Sequence, residues 1–309
     1  MNFLSMQYFS MVAREKSFTK AAAKLYITQQ TLSAHIAAIE KELGCQLIIR
    51  RVPLELTYAG QIFLKYAVDI QKKYENMEYE FKDIVQEDKG KLRIGIGHTR
   101  GRAIMPKLIM AFQKIYPKIE IELVEDLNDV LRQKLIDGEI DMAIAKFDEK
   151  DPEIISENFY NEEIVLLIAD KLLDDLYKDK KNEVITRLEN QDIYALNNCP
   201  FLLNSQRDIF GKVGHGILTQ GNFIPKIKVI SSNTGTLLAL CTYGAGACFC
   251  TENLLNASLT SEQRSLLRLF RFGEDAKYTI CFKYLKNSYQ WSMISNFIKL
   301  SKELINKQL

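Results

Sequence analysis

Between residues 63 and 84, apolar side chains recur at Phe63, Ala67, Ile70, Tyr74, Met77, Phe81 and Ile84, in alternating steps of four and three. That is a heptad seam held for three repeats, the spacing by which a helix lies against another copy of itself. Residues 58–86 contain no proline, and no glycine beyond Gly60. Lys65, Asp69, Lys72, Glu75, Glu78, Glu80 and Lys82 occupy the other faces. A helix packed only on its own domain keeps a wider apolar stripe. The spacing therefore predicts a self-associating helix over 58–87. It cuts a chain of 309 residues, already too long for one core, into two or three domains.

Ahead of the seam the chain reads as short helices. Ser17 is placed to cap a helix over Phe18–Leu25, and Thr28 one running to Leu43, where Gly44 provides a C-terminal stop. Only Tyr26 and Ile27 lie between them, which makes a helix-turn-helix after a supporting first helix. Residues 46–57 alternate weakly, as a two-stranded wing would. The whole chain is nearly neutral, with 41 Lys+Arg against 39 Asp+Glu. Residues 1–60 hold seven basic side chains (Arg14, Lys16, Lys20, Lys24, Lys41, Arg50, Arg51) against four acidic ones (Glu15, Glu40, Glu42, Glu55), an excess of three. Any nucleic-acid binding is therefore local to this end.

Beyond the polar hinge Gln86-Glu87-Asp88-Lys89-Gly90 the pattern changes. Strands at Leu92–Ile96, Ile119–Val124, Ile140–Ala145 and Ile164–Ala169 alternate with helices at Pro106–Ile115 and Asn128–Ile136. Lys171–Asn190 reads as a charged helix and loop. Phe201–Leu203, Lys226–Ile230, Ala247–Cys250, Leu267–Phe272 and Thr279–Tyr284 continue the strands, and a helix over Trp291–Leu304 ends them. This alternation predicts a parallel sheet covered by helices.

Ser17-Phe18-Thr19-Lys20-Ala21-Ala22-Ala23-Lys24-Leu25, then Thr28-Gln29-Gln30-Thr31-Leu32-Ser33, then Leu56-Thr57-Tyr58-Ala59-Gly60 form the most specific signal. Leu92-Arg93-Ile94-Gly95, Tyr116-Pro117, Gly138-Glu139-Ile140-Asp141 and Gly244-Ala245-Gly246 extend it almost to the end. The chain resembles the LysR-type transcriptional regulators. The resemblance implies an N-terminal all-α winged helix-turn-helix (1–60) with Leu25, Leu32, Ile36 and Leu43 in its core. A long linker helix (58–87) follows, then a C-terminal α/β two-lobed effector domain of periplasmic-binding-protein type (91–309). Lobe I would be 91–163 with 269–309, and lobe II 164–268. Gln30 stands where the family usually has proline, and the wing is about one residue short.

A recognition helix reads base edges with polar side chains near its N-terminus. Gln29, Gln30, Thr31, Ser33 and His35 are the candidates, with Arg50 and Arg51 of the wing for phosphate or the minor groove. Ligands in two-lobed sheets lie beyond the carboxyl ends of the strands. That position predicts an effector site at His98, Thr99, Arg100 and Arg102, where a helix start favours an anion. By resemblance, Asn128 and the stretch Phe201, Leu202, Asn204 face it, the two apolar residues covering the ligand. The expected partners are promoter double-stranded DNA, a small carboxylate effector, and further copies of the chain as dimer and possibly tetramer.

Enzyme signatures are missing: no G-x-S-x-G, no P-loop, and Gly95-Ile96-Gly97 lacks a third glycine because Arg100 fills its place. His35, His98 and His215 show no metal-ligand spacing with cysteine, so no catalytic residue, metal or cofactor is expected. A solute-binding transport protein would share the two lobes but not residues 1–86. Met1–Lys16 lacks the apolar core of an export signal, and no apolar run approaches a membrane span. Both features predict a cytoplasmic protein whose six cysteines are reduced, Cys248 and Cys250 being buried strand residues.

Overall fold

The computed structural model of the chain describes residues 2–51, 53–85, 88–147, 151–286 and 289–306. Val52 of the wing and Gln86 and Glu87 of the hinge lie outside them. The chain divides into two units, Met1–Glu87 with Asn287–Ser292, and Asp88–Lys286 with Met293–Leu309.

The first unit holds α1 (Phe3–Glu15), α2 (Phe18–Lys24), α3 (Gln29–Leu43), a wing of β1 (Ile48–Ile49) and β2 (Glu55–Leu56), and α4 (Tyr58–Ile84). Each helix opens on a side chain that accepts an otherwise unpaired backbone N–H. Asn2 takes that of Ser5, Ser17 that of Lys20, Thr28 that of Thr31 and Thr57 that of Gly60. Such a cap contributes about 1 kcal/mol. Phe9, Val12, Ala21, Leu32, Ile36, Ile39 and Leu47 close into one core. Leu43, expected in it, is 42% exposed, because α3 has turned its last residue outward before Gly44 ends the helix at φ +69°.

The seam along α4 is split. Phe63 meets Phe9 edge-on with ring centroids 4.9 Å apart, Ala67 is buried, and Tyr74 lies 4.7 Å from Phe3. Gln71 donates to Ser10. This face thus serves the unit's own α1, contrary to the reading of the whole seam as free for self-association. Ile62, Tyr66, Ile70, Met77, Phe81 and Ile84 remain as an exposed apolar stripe. Tyr79 stacks on the buried Trp291 at 4.7 Å.

In the second unit, β3 (Gly90–Ile96), α5 (His98–Ile115), β4 (Ile119–Glu125), α6 (Asn128–Ile136) and β5 (Met142–Ala145) precede the long β6 (Ile154–Ala169). Then come α7 (Asp170–Tyr177), α8 (Lys181–Glu189), β7 (Pro200–Asn204), α9 (Ile209–Gln220), β8 (Lys226–Ser231), α10 (Thr234–Thr242) and β9 (Ala247–Thr251). The chain finishes with α11 (Glu252–Ser258), α12 (Ser261–Ser265), β10 (Leu267–Arg271), β11 (Lys277–Leu285) and α13 (Ser292–Asn306). The strand order is β4-β3-β5-β11-β6-β9-β7-β8, with β10 also on β6. β3 runs parallel to β4 and β5, and β7 parallel to β8 and β9, each set covered by its own helices.

Two antiparallel strands join the two halves. β6 pairs with β11 up to Glu163 and with β9 from Ile164 onward. This change of partner separates two lobes. β10 pairs Leu267–Arg271 with Val165–Ala169, so residues 269–271 go with the second lobe and the chain returns to the first only in β11. Gly95 is required for close packing in the first lobe. A Cβ there would lie 2.4 Å from Ile140 Cδ1 and 3.0 Å from Leu131 Cδ2. The fold also lengthens a predicted element. α5 begins at His98, not Pro106, so Arg100 and Arg102 are helical; Pro106 lies inside the helix and leaves the Arg102 carbonyl without its usual N–H donor.

Candidate functional site

In the first unit, Gln29, Gln30 and Thr31 occupy the first turn of α3 and are exposed, while Ser33 is half-buried. Thr31 is held by its neighbours, since its N–H donates to Thr28 Oγ1 and the two hydroxyls lie 2.9 Å apart. His35, also expected on the reading surface, is half-buried and engaged with α1. Its Nδ1 is 3.3 Å from Ser5 Oγ and its ring meets Tyr8 edge-on at 4.9 Å. Glu40 ties the wing to α3 by accepting the N–H groups of Leu47 and Ile48 at 2.9 and 3.2 Å and Arg50 Nη2 at 3.3 Å. Arg50 also lies over the Phe18 ring. Arg51 pairs with Glu55. Both arginines are exposed, and exposed ion pairs contribute little, so either can exchange its partner for a phosphate.

In the second unit a cleft of about 660 Å³ opens between the lobes. The first lobe contributes His98, Thr99, Arg100, Arg102, Glu125, Asp126 and Asn128, and the second lobe Arg207, Asp208, Phe210, Asn233 and Gly235. The starts of α5, α6, α9 and α10 all border it. Those of α9 and α10 are capped by Asp208 and Asn233, whereas no side chain caps α5 or α6. Thr99 Oγ1 donates to Thr234 Oγ1 at 3.3 Å, and Asn204 Nδ2 donates to the same oxygen at 2.8 Å. One hydroxyl chain thus links α5 of the first lobe to β7 and α10 of the second.

Beneath the cleft sits a group that the motifs did not reveal. Arg100 makes two hydrogen bonds to Glu162, Nε to Oε1 at 3.1 Å and Nη2 to Oε2 at 2.9 Å. Tyr160 and Tyr278 donate to the same carboxylate at 2.6 and 2.7 Å. Burial pushes the Glu162 carboxyl up, but the Arg100 charge and these hydrogen bonds hold it below the usual range. Burial, then the Glu162 charge, push both phenols well above theirs. Arg100, expected to bind the effector, is therefore committed to an internal carboxylate and only 6% exposed. Strand alternation carried the missing signal. With Ile164 inward, Glu162 and Tyr160 share its face while Asn161 and Glu163 do not.

Phe201 and Leu202 are fully buried core residues that do not border the cleft, and Asn204 is reduced to a supporting contact through Thr234. The apolar lining comes instead from Leu127, Ile209, Phe210 and Leu254. Arg102 and Arg207 make no side-chain ion pair among the described residues. A Cβ on Gly235 would lie 3.5 Å from Arg102 Nη1, so Arg102 reaches across toward α10. Burial pushes the Asp208 carboxyl up, against the N–H groups of α9. His98 Nδ1 lies 3.6 Å from Glu125. Cys248 and Cys250 are fully buried in β9. The Cys241 thiol and burial push Cys248 up, and burial does the same to Cys250. Among the described residues no cluster of His, Cys, Asp and Glu could hold a metal, and no helix is long and apolar enough to cross a membrane.

Two family models match the chain. One, described as a bacterial regulatory helix-turn-helix protein of the lysR family, covers residues 3–61, and the other, the LysR substrate binding domain, covers residues 86–305. The HTH-type transcriptional regulator YtlI of Bacillus subtilis is 29% identical over 219 residues, 70% of this chain and 69% of that one. Full-length OxyR of Pseudomonas aeruginosa superposes with a TM-score of 0.69 at 19% identity, over 98% of this chain and 95% of that one. Full-length CbnR in complex with its target DNA superposes at 0.62 and 21% identity, over 98% and 99%.

Proposed function

This chain belongs to the LysR family of DNA-binding transcriptional regulators, which are not enzymes, and we propose that it reads promoter DNA with the start of α3 and answers to a small anionic effector held between its lobes. The observation that carries the second half is the pair of guanidiniums Arg102 and Arg207, one from each lobe and without an ion-pair partner among the described residues, lining a cleft bordered by two uncapped helix starts. A carboxylate on the ligand would take two parallel hydrogen bonds from such a group. Glu125, Asp126 and Asp208 require the rest of the ligand to offer hydrogen-bond donors. The hydroxyl of Thr99 and the side chain of Asn128 face the same volume.

Gln29, Gln30 and Thr31 contact base edges, Ser33 supports them, and Arg50 and Arg51 take phosphates. The exposed stripe on α4 pairs two copies, so that two recognition helices address half-sites about 34 Å apart. Such binding takes place in the cytoplasm, where promoter DNA is. A ligand that touches both lobes favours the lobe arrangement it fits, and DNA binding responds only through that difference in affinity. The test is a thermal-shift screen of metabolites on the full chain, followed by promoter binding at several salt concentrations. Acids that raise the melting temperature and change promoter affinity are the expected result. Binders that are all neutral or cationic would reject the anion.

A further inference from the structure

We propose that Tyr26, on the turn before the recognition helix, donates its phenol to a DNA phosphate at the edge of the groove. The inference rests on the reading of α3 as the helix that enters the groove. α2 ends in a Schellman motif: the Tyr26 N–H bonds the Ala23 carbonyl at 3.2 Å and the Ile27 N–H bonds the Ala22 carbonyl at 3.1 Å. The motif puts Tyr26 in the left-handed region, at φ +56°. Glycine or asparagine takes this position at little cost, whereas a tyrosine side chain is strained there. Gly44 fills the corresponding place after α3.

Tyr26 gains nothing in exchange within the chain. Its side chain is 95% exposed, and its hydroxyl has no partner among the described residues. The left-handed backbone costs stability and the exposed ring returns none of it through packing, so we take a contact outside the chain as what it serves. Its place two residues before the Thr28 cap fixes the kind of contact. Base edges are reached from the first turn of α3, and the turn ahead of it passes the backbone that borders the groove. Tyrosine hydroxyls are among the donors that position proteins on phosphate oxygens.

The test uses the full-length protein and an operator duplex that it selects from random-sequence DNA, with a scrambled duplex beside it. Tyr26→Asn should melt no lower than the parent, since asparagine tolerates the backbone. It should bind operator and scrambled DNA more weakly by the same factor, roughly tenfold. The slope of affinity against salt should not change, because the phenol is neutral and releases no counterion. Tyr26→Phe should lose as much, and a methylphosphonate scan of the duplex should find one position whose penalty disappears in that variant. Full affinity in Tyr26→Phe, a loss confined to the operator, or an altered sedimentation coefficient in Tyr26→Asn would each overturn the assignment. A parent protein that selects no duplex would instead sink the DNA-reading function itself.

Discussion

The two candidate sites differ in how their side chains wait for a partner. On α3, Gln29, Gln30 and Thr31 stand exposed on a helix whose position is set by a core behind them. In the cleft, several charged groups already satisfy one another, Arg100 with Glu162 and Lys134 with Asp126, while Arg102 and Arg207 make no ion pair among the described residues. DNA is a large polyanion met from outside, so its readers need only exposure and a rigid base. A cleft that is periodically empty must neutralise its own buried charges, because an isolated buried ion is far too costly. Charge type alone therefore names the contacts at a surface, but in a cleft it names only candidates, whose partners decide which stay available.

The strongest challenge to that contrast is Glu162→Ala. It leaves Arg100 buried without a counter-charge, and the second unit should lose about 3–5 kcal/mol. Glu162→Gln also removes the counter-charge, and its amide nitrogen cannot accept from Arg100 Nη2, so it should be destabilised as well, although it keeps the volume and one acceptor oxygen. Acid should narrow the gap between the parent and either variant. The carboxyl's value in the folded chain lies below its unfolded one, so the stabilisation is present above the unfolded value, about 4.3. It should fade as pH falls through the lower folded value. The parent should therefore be more acid-sensitive than Glu162→Gln when melts are followed from neutral to low pH. An Ala variant that melts with the parent would mean that the cleft's internal pairing is incidental.

Next in size is the exposed stripe of α4. Charged residues at Ile70 and Met77, 41% and 44% exposed, should give monomers with weak, sequence-independent DNA affinity. A stable dimer of the double variant in sedimentation would move self-association elsewhere. Smaller effects divide the DNA contacts by kind. Gln29→Ala should cost about 1–3 kcal/mol on the cognate site and little on random DNA. Arg50→Ala should weaken all sequences and flatten the salt slope by about one unit. Equal losses from both would erase the distinction between base reader and phosphate clamp.

How much was legible follows from the range of each interaction. The caps Ser17 and Thr28, the Gly44 stop, the wing and the strand-helix alternation are local, within a few residues of what they shape, and the sequence displays them. The sequence shortens α5 to Pro106–Ile115 because proline marks a helix start more often than an interior, whereas here Pro106 lies inside the helix. The part of the α4 seam that α1 covers is not legible, because periodicity shows that a stripe exists but not which helix lies on it. The cleft failed for distance: Arg100 finds Glu162 62 positions away, and Tyr278 reaches that carboxylate from 116 away. Phe201 and Leu202 are expected at the cleft from the family resemblance alone, yet both lie inside β7, ahead of its end at Asn204, and are buried in the core.

The smallest expected effect is the most discriminating for the cleft. Thr99→Val removes one hydroxyl from the chain Thr99–Thr234–Asn204 but leaves Thr234 its bond from Asn204. The folded chain should lose only about 1 kcal/mol, the worth of one ordinary hydrogen bond. Basal promoter affinity should hold, because no residue of the first unit is touched. The effector response should vanish, since Thr99 is the hydroxyl that borders the cleft at the uncapped start of α5. Arg102→Ala belongs beside it as the charge control; Arg100 does not serve, because removing it would strand Glu162 and confuse folding with binding. Arg102→Ala should weaken acids more than their neutral amides. If titration calorimetry finds acid binding indifferent to both changes, the ligand's anionic group lies outside this end of the cleft, and Arg207 becomes the next residue to replace.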